Sequence, residues 1–118
     1  MCMRGGKLND ILLLELYLNK VKDCISKNRF SMEPEDKRLL TSLGISYREA
    51  IQMIKGLTPQ DYVSGPEPDH QNSDQMVYVF GYAVDECELY IKLTFREVDS
   101  LFIMSFHKAK YEMHYPYR

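Results

Sequence analysis

Leu89-Tyr90-Ile91-Lys92-Leu93-Thr94-Phe95-Arg96 alternates apolar and polar residues without a break, and Leu101-Phe102-Ile103-Met104-Ser105-Phe106-His107 follows after a short gap. Side chains of a strand point alternately to its two faces. Leu89, Ile91, Leu93 and Phe95 therefore form one apolar face, and Tyr90, Lys92, Thr94 and Arg96 the other. A two-residue turn at Val98-Asp99 pairs Ile91 with Phe106, Leu93 with Met104 and Phe95 with Phe102. Apolar residues then meet apolar residues, so turn length and burial pattern agree. The same register sets Tyr90 opposite His107 and Lys92 opposite Ser105 on the wet face. A phenol, an ammonium, a hydroxyl and an imidazole on one rigid surface suit the holding of an anion or the transfer of a proton.

Upstream the pattern is helical. Ile11, Leu14, Leu18, Val21 and Ile25 step by 3, 4, 3 and 4 residues, which predicts a first helix over Leu8 to Lys27. Arg29 to Met32 reads as a short extended piece. Glu33-Pro34-Glu35-Asp36 starts a second helix, with acids at its positive end, that stops at Gly44. Ser46-Tyr47-Arg48-Glu49 is a capping box, with Ile45 and Ala50 in staple positions, and opens a third helix ending at Gly56. Thr58-Pro59-Gln60-Asp61 reads as one more capped turn. Ser64 to Ser73 reads as an exposed loop, Gln75 to Val84 as a strand, and Asp85-Glu86-Cys87 as the turn into Leu89. Helices followed by a three-stranded meander predict an α+β fold, with the helices on one face of a small antiparallel sheet and the other face open.

The chain has 118 residues, 45% of them hydrophobic, which is expected to make one domain over 1–118 with a sizeable core. Its formal charge of −2 gives no global signature of nucleic-acid binding. The charge is uneven, however: after Phe102, Lys108, Lys110 and Arg118 stand against Glu112 alone, so a polyanion has a local basic end to meet. Cys2, Cys24 and Cys87 have neither disulfide nor metal spacing, which fits a reducing cytoplasm. The apolar run Ile11 to Leu14 is too short for a signal peptide or a membrane span.

Tyr90, Lys92, Ser105 and His107 have a plain reading as a solvated sheet face and a chemical one as a phosphodiester site. In the latter, Lys92 stabilises phosphorane charge. His107 acts as acid or base, and Tyr90 orients the phosphate or shares proton transfer. Tyr78, Phe80 and Tyr82 alternate on the neighbouring strand. A three-residue turn at Asp85–Cys87 puts them on the open face, where exposed aromatics suit single-stranded RNA; a two-residue turn puts them in the core. Glu67, Asp69 and His70 lie in a proline-stiffened segment that reads as a loop bordering the open face rather than a metal site, and no metal or cofactor is expected.

Leu57-Thr58-Pro59-Gln60-Asp61-Tyr62, Gly65-Pro66-Glu67-Pro68-Asp69, Val79-Phe80-Gly81, Leu89-Tyr90-Ile91-Lys92-Leu93 and Ser105-Phe106-His107 occur in an order and spacing that resemble the motility quorum-sensing regulator (MqsR) family of bacterial toxins. The resemblance covers roughly Leu8 to His107. It implies a RelE-like toxin fold, metal-independent cleavage of mRNA as a type II toxin, and neutralisation by a cognate antitoxin. The family's strand tyrosine falls on Tyr90, the basic residue closing its Ser-Phe-Lys strand on His107, and a glutamine before the preceding strand on Gln75. Ser64 stands where the family has a further lysine. The expectation is a cytoplasmic endoribonuclease with His107, Tyr90 and Lys92 catalytic, and with Gln75, Ser105, Arg96 and Tyr78 contacting RNA. The alternative is a non-catalytic module that binds a protein partner through the same face or an edge strand.

Overall fold

The structure, a computed structural model, describes residues 2–72, 74–97 and 99–118, with the backbone alone for 2–9. The elements run α1 (Cys2–Ser26), β1 (Phe30–Met32), α2 (Pro34–Leu39), a 3-10 turn (Leu40–Leu43), α3 (Tyr47–Lys55), a second 3-10 turn (Pro59–Asp61), β2 (Tyr62–Pro68), β3 (Met76–Val84), β4 (Cys87–Arg96) and β5 (Ser100–Lys108). This is the α+β arrangement, with the helices N-terminal to the sheet. The local signals hold at several ends: Gly44 sits at φ 71 as a left-handed cap, and the Ser46–Glu49 box makes both of its reciprocal hydrogen bonds, at 2.9 and 3.0 Å. Helix α1 begins at Cys2 rather than Leu8.

The sheet has five strands in the order β1-β5-β4-β3-β2, two more than the predicted meander. Strand β2 takes the first part, Ser64 to Pro68, of the segment expected to be a loop; it pairs with β3 through two register shifts, and such irregular pairing leaves no period-2 pattern to read. Ser73, the end of that expected loop, lies outside the described residues. Strand β1 pairs with β5 in parallel, so the sheet is mixed rather than purely antiparallel. The connection from β3 is a two-residue one, Val84 pairing with Cys87, which resolves the parity question for Tyr78, Phe80 and Tyr82 in favour of the helix-covered face.

Between β4 and β5 the register changes part-way. Tyr90–His107, Ile91–Phe106 and Lys92–Ser105 pair as predicted, but Leu93 then meets Ile103 and Phe95 meets Leu101. Met104 is the extra residue of a β-bulge, and Leu93 opposite Met104 and Phe95 opposite Phe102 are corrected accordingly. The hairpin closes over Arg96–Ser100, so its connection is three residues, not two; Val98 lies outside the described residues. The bulge reconciles two apolar phases on one strand, since Leu101, Ile103 and Phe106 all reach 0% exposure beneath the helices. Phe102 falls on the opposite face, where the Arg96 guanidinium lies 3.5 Å over its ring.

The core lies between the helices and this face. Leu14, Leu18, Val21 and Ile25 of α1 are buried, packed in one cluster with Ile51, Ile54, Phe80, Ile91, Leu93 and Phe106. Beyond the end of β1, the edge of β5 is served by α2: the Asp36 carboxylate accepts a hydrogen bond from the Phe106 N–H at 3.3 Å. Among the described residues no helix is long and apolar enough to cross a membrane.

Candidate active site

Tyr90 and Lys92 are two apart on β4, and Ser105 and His107 two apart on β5, so each pair shares a face. The matched register makes them a square of neighbours on the side away from the helices. The Tyr90 and His107 rings stack, with centroids 5.1 Å apart and planes 13° from parallel. His107 Nδ1 lies 2.9 Å from the Lys108 carbonyl oxygen. A carbonyl only accepts, so Nδ1 carries the hydrogen of this bond, and in the neutral ring Nε2 is the acceptor nitrogen. Burial, and then the Glu67 carboxylate, push the Tyr90 phenol above the ordinary tyrosine range. The phenol therefore stays protonated at neutral pH.

These four side chains line a pocket of about 430 Å³, and its other wall is the chain after β5: Ala109, Lys110, Tyr111, Glu112 and Met113. The C-terminal segment does not leave the sheet but crosses its open face. Tyr115 donates a hydrogen bond to Glu88 at 2.7 Å, and the Arg118 guanidinium reaches Asp61 at 3.3 Å beside β2. Gly81 makes the crossing possible. A Cβ there would run into the Tyr115 hydroxyl and lie 2.8 Å from the end of Met113, so only glycine lets the tail lie flat on β3. Sequence reasoning missed this wall. Two signals were present: the lone glycine inside the Val-Tyr-Phe strand, and the alternation of Met113, Tyr115 and Tyr117 with His114, Pro116 and Arg118.

The remaining candidates fall elsewhere. Arg96 lies four residues beyond Lys92 along β4, roughly 13 Å away at strand rise. Gln75 is in the turn before β3, its carbonyl accepting from the Asp69 N–H at 2.9 Å, at the same end of the sheet as Arg96. Tyr78 is on the opposite face, its ring 4.1 Å from that of Tyr17; a residue packed under α1 is not placed to touch a ligand on the open face. Ser64 pairs with Val79, which pairs with Lys92, so Ser64, Val79, Lys92 and Ser105 form one row across the sheet. Among the described residues no group of three or more His, Cys, Asp or Glu side chains is placed to hold a metal ion.

The family model described as motility quorum-sensing regulator, toxin of MqsA, matches residues 15–108. The chain belongs to the MqsR toxin family. An MqsR-family chain is a toxin of a toxin–antitoxin pair, so an antitoxin is its implied partner. The match ends where β5 ends, and the tail that walls the pocket lies beyond it. No curated protein matches the chain.

Proposed function

We propose that this MqsR-family chain is an endoribonuclease that cuts mRNA without a metal, acting in the cytoplasm and held in check by its antitoxin. The observation that carries this reading is the stacked Tyr90–His107 pair with Lys92 and Ser105 in one pocket. RNA carries its own nucleophile, the 2′-hydroxyl. His107 Nε2 takes the 2′-hydroxyl proton as the 2′-oxygen bonds to phosphorus. Tyr90, kept in its donor form, gives a proton to the departing 5′-oxygen as the P–O5′ bond breaks. Lys92 neutralises charge building on the phosphoryl oxygens, and Ser105 is placed to hydrogen-bond one of them. The balance is one proton in and one out, leaving a 2′,3′-cyclic phosphate and a free 5′-hydroxyl.

Incubating the purified protein with RNA in EDTA tests this. Cleavage should persist, and the products should carry 2′,3′-cyclic or 3′-phosphate ends. Products with 5′-phosphate ends would exclude the 2′-hydroxyl route. Protein that binds RNA yet never cuts it, with or without metal, would leave a binding module in place of the enzyme.

A further inference from the structure

The segment Lys110–Glu112 is an arch with both feet on one residue. At one end the Ala109 N–H donates to the Glu88 carbonyl at 2.8 Å; at the other the Met113 N–H donates to the Glu88 carboxylate at 3.4 Å. Glu88 is two residues before Tyr90 on β4 and so shares its face. The arch is thus fixed to the strand that carries the site, at the site's edge. Beyond it, the Arg118 guanidinium lies 3.7 Å over the Tyr115 ring, and the Tyr117 and Tyr62 rings stack at 5.3 Å. At the top of the arch, Tyr111 is 85% exposed. The other tail tyrosines have ring or cation partners; among the described residues none is seen for Tyr111. A large aromatic held out over a pocket that also contains Lys92 and His107 is the arrangement that stacks a nucleobase beside a bound phosphate. The pocket volume of about 430 Å³ is within the range of small-ligand sites, ~300–1,000 Å³.

Resting on the ribonuclease reading, we propose that the arch is a nucleotide subsite, in which Tyr111 stacks on the base next to the scissile phosphate and Lys110 meets the adjoining phosphate. Tyr111 is here a positioning residue and takes no part in proton transfer. Because stacking on an aromatic accepts any base, the subsite should raise affinity for single-stranded RNA over duplex without imposing a sequence.

The chain has no tryptophan, so Tyr111→Trp places a single indole reporter at the arch. The probe is a mixed-sequence single-stranded RNA of about ten nucleotides, in the usual site-size range, fully 2′-O-methylated so that it binds without being cut. Binding should quench the fluorescence of the introduced indole. Tyr111→Ala should weaken binding about 10-fold, the scale of one lost base stack. With cleavable RNA it should raise KM while leaving kcat nearly unchanged, and Tyr111→Phe should restore wild-type KM. Unchanged indole emission from Tyr111→Trp at saturating probe, or unchanged affinity in Tyr111→Ala, overturns the subsite while wild-type cleavage still upholds the enzyme. A wild-type protein that neither binds nor cuts RNA overturns both.

Discussion

Beneath the helices, Phe80, Ile91, Leu93, Leu101, Ile103 and Phe106 are sealed at 0% exposure. On the other side of the same strands, Tyr90, Lys92, Ser105 and His107 sit half-buried in a walled pocket. The two faces treat the same residue type differently. Tyr17, wedged among Tyr78, Phe80 and Phe95 on the covered face, has a buried hydroxyl with no hydrogen-bond partner among the described residues. On the open face, Tyr115 donates a hydrogen bond to Glu88. Tyr17 under the helices contributes ring area and carries its hydroxyl as a burden; Tyr115 on the open face is held by its hydroxyl. On the proposed reading, stability and chemistry are divided between the two sides of a layer one strand thick, and each should yield to perturbation without the other.

The sharpest break comes from His107→Ala. It should lower kcat by roughly 10²–10⁴-fold, the usual worth of a positioned acid or base, which is about 3–5 kcal/mol of barrier. Chemical denaturation should change by less than about 1 kcal/mol, since the ring supports no core packing. The converse substitution is Leu18→Ala on the covered face. Leu18 is 3% exposed, and its truncation should cost about 2–5 kcal/mol in denaturation, with the rate per folded molecule unchanged. If Leu18→Ala altered the product ends, or His107→Ala unfolded the chain, the division between faces would be wrong.

Two smaller effects sharpen the comparison. Gly81→Ala places a methyl group under the tail. Overpacking costs about 1–3 kcal/mol, and here the tail rather than the core is expected to yield. Hydrogen exchange should speed up at Ala109 and Met113 while β3 and β4 stay protected, and cleavage should slow through KM. Tyr17→Phe removes the unpartnered hydroxyl and should stabilise the fold by about 1 kcal/mol. It should also change the alkaline limb. Burial, and secondarily Tyr78, raise the Tyr17 phenol above its ordinary value near 10, so the fold prefers the neutral form. That contribution is fully present below about pH 10 and is lost as pH rises through the elevated folded value. Thermal unfolding of Tyr17→Phe above pH 10 should therefore fall less steeply with pH than that of the wild type.

Much of this was legible because local chemistry and tertiary demand agreed. The α1 stripe, the Ser46–Glu49 box and the Gly44 cap each follow from a few adjacent residues, whereas the Tyr90–His107 pairing holds because the bulge at Met104 offsets the longer turn. The parts that were not legible depend on partners distant in sequence. Strand β2 has bulged pairing and prolines, so nothing in Tyr62 to Pro68 alternates cleanly; it is a strand because β3 lies beside it. Phe30 to Met32 becomes a parallel strand only because Leu101 to Ile103 is there to pair with it. Tyr78 could be assigned to a face only once the length of the Asp85–Glu86 turn was fixed, and a one-residue difference reverses that assignment. The tail wall was missed for the opposite reason: its determinant, Gly81, is visible, but it explains itself only when Tyr115 is laid upon it.

The bulge at Met104 makes β5 one residue longer than its pairing with β4 requires, and that surplus sets where the chain can change length. Deleting Met104 would let Leu93–Ile103 and Lys92–Ser105 follow one another without a break, with Leu101, Ile103 and Phe106 still inward and His107 still outward. Strand β4 has no such slack against β3, where pairing is continuous from Val77–Thr94 to Val84–Cys87. A deletion there would turn half the strand over, sending Tyr90 into the core or Ile91 out of it. Of the two strands that carry the site, one can absorb a lost codon and the other cannot.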